Sequence, residues 1–141
     1  MKIAQEVWEK IFSDIGETPP EVGGILGMSK DVVDSLFIDC GVPMNKLCSY
    51  TPDVTLLNHM IDIWQQKEIR FVGIFHSHYF GVKSLSEGDK KYIKLIMNSM
   101  PSDINSLYFP VAVMPDKELV VYKAYRCERG LELIKEQVEI L

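Results

Sequence analysis

Residues Phe71-Val72-Gly73-Ile74-Phe75 form an apolar run without polar alternation, and they lead straight into His76-Ser77-His78. A strand of this composition has to be covered on both sides, which calls for a sheet flanked by helices.

The pattern offers helices at three places. Ile3, Val7, Ile11 and Ile15 recur every four residues beside Trp8 and Phe12, and Gly16 follows, so the first segment reads as an amphipathic helix. Thr51-Pro52-Asp53 resembles an N-cap with proline at the first helical position, and Val54, Leu57, Ile61 and Trp64 continue at helical steps. Ser86-Glu87-Gly88-Asp89 opens a third helix, which Pro101 stops. Gly23 to Met28 and Val33 to Cys40 read as an antiparallel pair, and Pro110 to Met114 with Leu119 to Tyr125 as a hairpin. Over 131–141 the alternation of Leu131 and Leu133 favours a strand, although Lys135-Glu136-Gln137 favours a helix. The expected class is α/β, an α+β mixed sheet flanked by helices.

Composition bounds the function. The 141 residues carry 15 Lys+Arg against 20 Asp+Glu, a net charge of −5, with 47% hydrophobic residues. No repeat or linker divides the chain, so 1–141 reads as a single domain with a core that needs no metal or disulfide staple. The acidic balance argues against nucleic acid as a partner, and apolar runs far short of the ~20 residues of a membrane span argue against membrane insertion. Cys40, Cys48 and Cys127 are odd in number, lack CxxC spacing and follow no signal segment, which points to the cytoplasm. They are expected to be buried small hydrophobes. His59 is expected on a helix surface, and Trp8, Trp64 and the methionines in the core.

The chemistry concentrates at one place. His76 and His78 share a face at the end of a strand, so both imidazoles can address one ion. Alone, such a pair is better explained as two polar residues leaving a buried strand. The full pattern His-x-His-x7-Ser-x2-Asp, ending at Ser86 and Asp89, arises by chance in about one chain of this length in several thousand. Ser86 and Asp89 also read as a helix capping box, and both readings can hold together. Two His and one Asp leave a fourth position open, where a bound water reaches a pKa of about 7 and becomes a nucleophile. Glu21, between Pro19-Pro20 and Gly23-Gly24, is a candidate general base. By itself it is also an ordinary loop glutamate.

Glu21 upstream, then His76-Ser77-His78, Ser86 and Asp89, resembles the motif of the JAMM (MPN-plus) metalloproteases. Glu21-Val22-Gly23-Gly24-Ile25-Leu26-Gly27 is similar to that family's glutamate-bearing strand, and Phe71 to Phe75 to the strand before its histidines. The resemblance runs from about Glu21 to about Tyr125 and is to the short, stand-alone prokaryotic JAB-domain members. It implies a cytidine-deaminase-like MPN/JAB architecture, with zinc held by His76, His78 and Asp89. It further implies Glu21 as general acid/base and Ser86 as hydrogen-bond donor to the tetrahedral oxyanion. The family commonly has proline after the second His and before the Ser, where this chain has Tyr79 and Leu85. That departure bears on loop stiffness and substrate fit rather than on the metal.

The implied activity is hydrolysis of the peptide or isopeptide bond after the C-terminal glycine of a ubiquitin-like or sulfur-carrier protein. Only twenty residues separate Asp89 from Pro110, so polyubiquitin specificity is not expected. The tail is expected to lie along a sheet edge beside the metal. Two other readings stay open: a non-catalytic MPN-type interaction module, which typically loses a motif residue, and a small-molecule metal-dependent amidohydrolase. The sequence leaves the oligomeric state open.

Overall fold

The computed structural model of the chain describes residues 1–41 and 50–141. Cys48 lies outside the described residues. In chain order the elements are β1 (Lys2–Ile3), α1 (Gln5–Asp14), β2 (Gly23–Met28), β3 (Val33–Asp39), α2 (Val54–Gln66) and β4 (Arg70–His78). They continue with α3 (Glu87–Ser99), β5 (Ser106–Val113), β6 (Glu118–Cys127), β7 (Gly130–Glu136) and β8 (Glu139–Ile140).

The eight described strands form one mixed sheet in the order β7-β6-β5-β4-β2-β3-β1-β8. β4 lies inside it, antiparallel to β2 and parallel to β5. Both its faces are covered, as its composition requires. Phe75 and Val72 join α1 and Leu26 in one core, while Ile74 joins Ile25, α2 and α3 in the other. Val72 lies where the pairing passes from Leu26–Gly73 to Gly27–Phe71, an extra residue on β4 that bends the strand. The β4–β5 pairing lapses between Gly73–Tyr108 and His76–Val111, where Pro110 has no N–H to donate. Gly73 is required by close approach, since a Cβ there would meet the Tyr108 carbonyl at 2.3 Å.

Several boundaries differ from the sequence reading. Ile3 belongs to β1, not to the first helix, because its backbone is paired between Val33 and Ile140. The second helix is capped by Asp53 rather than Thr51: its carboxylate accepts from Leu56 N at 3.1 Å, and Pro52 stays outside the helix. Cys40 is exposed and Cys127 half-exposed, so neither is a buried hydrophobe. Asp39 takes the inward position at the end of β3, and alternation turns Cys40 outward.

Other expectations match. The antiparallel β2–β3 pair, the β5–β6 hairpin and the strand character of the last segment are all present. His59 is exposed, and Trp64 is buried. Trp8 is only half-buried, its ring set against Phe12 at 4.8 Å. Arg126 of β6 reaches across to donate to the Met97 and Met100 carbonyls at 2.6 and 3.0 Å, closing the end of α3. No described helix is long and apolar enough to cross a membrane.

Candidate metal centre

His76 and His78 close β4, and their side chains emerge on one face with the two Nε2 atoms 2.9 Å apart. Asp89 comes from the first turn of α3. Its position is fixed by a reciprocal cap: Asp89 N donates to Ser86 Oγ at 3.0 Å, and Ser86 N donates to Asp89 Oδ2 at 2.9 Å. The capping box thereby aims the carboxylate at the strand end, with Oδ1 3.3 Å from His76 Nε2 and Oδ2 3.2 Å from His78 Nε2.

These spacings suit a small cation. Ligand atoms about 2.0–2.2 Å from a tetrahedral ion are separated by about 3.3 Å from one another, and the three distances here run from 2.9 to 3.3 Å. His78 Nδ1 faces the Val82 carbonyl at 3.1 Å, and a carbonyl only accepts. The Nδ1 therefore carries the proton, leaving the Nε2 lone pair for the centre. Among the described residues, His76, His78 and Asp89 are the group able to hold a metal ion.

The electrostatics agree with a cation-seeking site. Burial alone would raise the Asp89 carboxyl, but its contacts with His76 and His78 hold it far below the ordinary carboxylate range. Burial works to lower His78, yet the contact with Asp89 outweighs it and leaves the imidazole above its usual value.

Glu21 and Ser86 line the same cavity as His78, a space of about 290 Å³ walled by Pro19, Phe80 and Val82. Burial is the main influence on Glu21 and raises its carboxyl, against the opposing pull of His76 and His78. Its Oε2 accepts from Tyr50 N at 3.2 Å. The Ser86 oxygen accepts from Asp89 N, so the hydroxyl proton remains for another acceptor.

Sequence reasoning missed the residues that hold these groups in place. Val22 N donates to Ser77 Oγ at 2.9 Å and Ser77 N to the Val22 carbonyl at 2.7 Å, which fastens the segment after Glu21 to the histidine strand. The buried Asp39 carboxylate accepts from Gly41 N, Tyr50 Oη and Asp53 N at 2.8, 3.0 and 2.9 Å, and so sets the position of Tyr50. Only the inward alternation of Asp39 on its strand hinted at this. Among the described residues β4 itself offers no free edge at the histidines: it is paired at His76 to Gly23 on one side and to Val111 on the other.

No protein-family model and no curated protein matches the chain. Solved structures do share its fold. Protein DSY2949 from Desulfitobacterium hafniense superposes with a TM-score of 0.69 at 15% identity, over 100% of this chain and 93% of that one. AF2198, a JAB1/MPN domain protein from Archaeoglobus fulgidus, does so with a TM-score of 0.57 at 19% identity, over 100% and 99%. The architecture is thus MPN/JAB-like, a mixed sheet with helices, and it presents a His-His-Asp group able to hold a metal ion.

Proposed function

We propose that this chain is a zinc-dependent metallopeptidase of the JAMM type that hydrolyses the peptide or isopeptide bond after the C-terminal glycine of a ubiquitin-like or sulfur-carrier protein. The observation that carries the reading is the convergence of His76, His78 and Asp89 donor atoms within 3.3 Å beside a cavity lined by Glu21 and Ser86. His76, His78 and Asp89 would hold the zinc, which would supply Lewis acidity to a water and to the scissile carbonyl.

The chain's own residues do the rest. Glu21, its carboxyl raised by burial, takes a proton from the attacking water and returns it to the leaving amine. The Tyr50 N–H holds the Glu21 carboxylate through Oε2 at the wall of the cavity. Ser86 donates its free hydroxyl proton to the oxyanion, a contribution of about 10²–10³ in rate. Val82, through its carbonyl, fixes the His78 ring.

The test is elemental mass spectrometry on wild type and a His76→Ala/His78→Ala double variant, followed by cleavage assays on glycine-ended ubiquitin-like fusions. About one zinc per chain, lost in the double variant, supports the site. Cleavage that disappears in Glu21→Gln while zinc is retained supports the mechanism. No metal after reconstitution favours a non-catalytic interaction module instead, and turnover of small amides without turnover of fusions favours an amidohydrolase.

A further inference from the structure

A second concave surface lies along the helix that carries Asp89. It is a groove of about 730 Å³ between α3 and the β6–β7 pair, larger than the cavity beside the histidines. Its charge runs against that of the chain, whose net is −5. Lys94 and, one helical turn before it, Lys90, whose ammonium also reaches Glu87 Oε1 at 3.5 Å, form one rim, and Arg129 at the β6–β7 turn forms the other. Arg126 adds a fourth cation on the floor, partly engaged with the α3 carbonyls.

The register explains why the floor is apolar. Leu131 pairs with Arg126 and Leu133 with Ala124, so these four share the face turned to α3, whereas Glu132 pairs with Tyr125 and belongs to the opposite face. Glu132 accepts from the Tyr125 hydroxyl there, which keeps the one acidic lining residue occupied. Leu133 is 37% exposed although it sits on the groove side. β7 also ends the described sheet, so its outer backbone groups have no strand partner among the described residues.

A free strand edge, apolar side chains at two-residue spacing and a cationic rim together define one occupant. We infer that this groove docks an extended acidic segment of a protein partner, added to β7 as a further strand. Backbone bonds to β7 would give affinity, and carboxylates facing Lys90, Lys94 and Arg129 would give orientation and choice. Nucleic acid fits less well, because the floor offers leucines rather than aromatic platforms for bases. The docking is independent of the metal chemistry.

Random short peptides displayed on phage and selected on the immobilised chain provide the test. Acidic sequences with alternating aliphatic residues should be enriched, and a synthetic copy should bind in fluorescence anisotropy with an affinity that falls as salt rises. Lys94→Glu/Arg129→Glu, at two exposed positions, should weaken that peptide by about tenfold or more with an unchanged circular-dichroism spectrum. Lys94→Glu alone provides a second variant with a smaller change, expected to weaken binding in the same direction. Absence of enrichment, enrichment of basic or uncharged sequences, equal affinity in folded variants, or tighter binding of poly-uridine than of the peptide would each overturn the assignment.

Discussion

The Ser77 hydroxyl donates to the Tyr79 hydroxyl at 3.0 Å, and Tyr79 passes the bond on to the carbonyls of Ile15 and Pro20 at 3.1 and 3.2 Å. Tyr79 stands where the resembled family has proline, and its ring is buried. The chain leaving His78 is therefore held by a polar anchor to the segment bearing Glu21, not left slack. Tyr79→Phe strands buried acceptors and should cost about 1–3 kcal/mol of stability, measured by denaturant unfolding. An unchanged midpoint would show that the hydroxyl carries no weight.

Glu21 gives a pH-dependent expectation. A carboxyl raised in the folded state contributes stability that is present below its unfolded pKa and lost as pH rises through the folded one. At neutral pH the buried carboxylate is thus a burden, with burial as the cause. In chelator-treated protein Glu21→Gln should melt higher than wild type at pH 7, and the gap should close as pH falls below 4.5, the ordinary value of the group. A gap independent of pH would point to packing instead.

Asp39 supports the site without facing the histidines. Its carboxylate satisfies Gly41 N, Tyr50 Oη and Asp53 N, and Tyr50 in turn donates to Glu21. Asp39→Ala leaves three donors unpaired and should destabilise the fold by about 2–4 kcal/mol. Calorimetry measures the loss. In the folded fraction the expected defect is in cleavage rate, with zinc content unchanged.

Asp89→Asn separates the cap from the charge. An asparagine oxygen can still accept from Ser86 N, so α3 should keep its helical signal while metal content drops. Chelation of the wild type should likewise leave the far-ultraviolet spectrum intact, since both cores pack without the centre. Unfolding on chelation would assign the ion a structural role.

What could be read from the sequence was local. The apolar run before His76, the capping box at Ser86 and the two-residue alternation after Gly130 each depend on neighbours in the chain, and each appears in the structure. What could not be read depends on partners far away. The position of β2 between β3 and β4, the reach of Arg126 to α3 and the Asp39–Tyr50 bond are set by packing. Asp53 displaced Thr51 as the helix cap for the same reason, because its own N–H is bound to Asp39.

The two halves of the site differ in how early the chain can build them. His76, His78 and Asp89 belong to one strand, loop and helix in succession, whereas Glu21 is brought in through the Val22–Ser77 bond, across 55 residues. Closure of that long loop is the slower event. On the proposed reading, a refolding chain would bring its three ion-holding groups together before the distant Glu21 docks beside them, so uptake of the ion would come before any power to cleave.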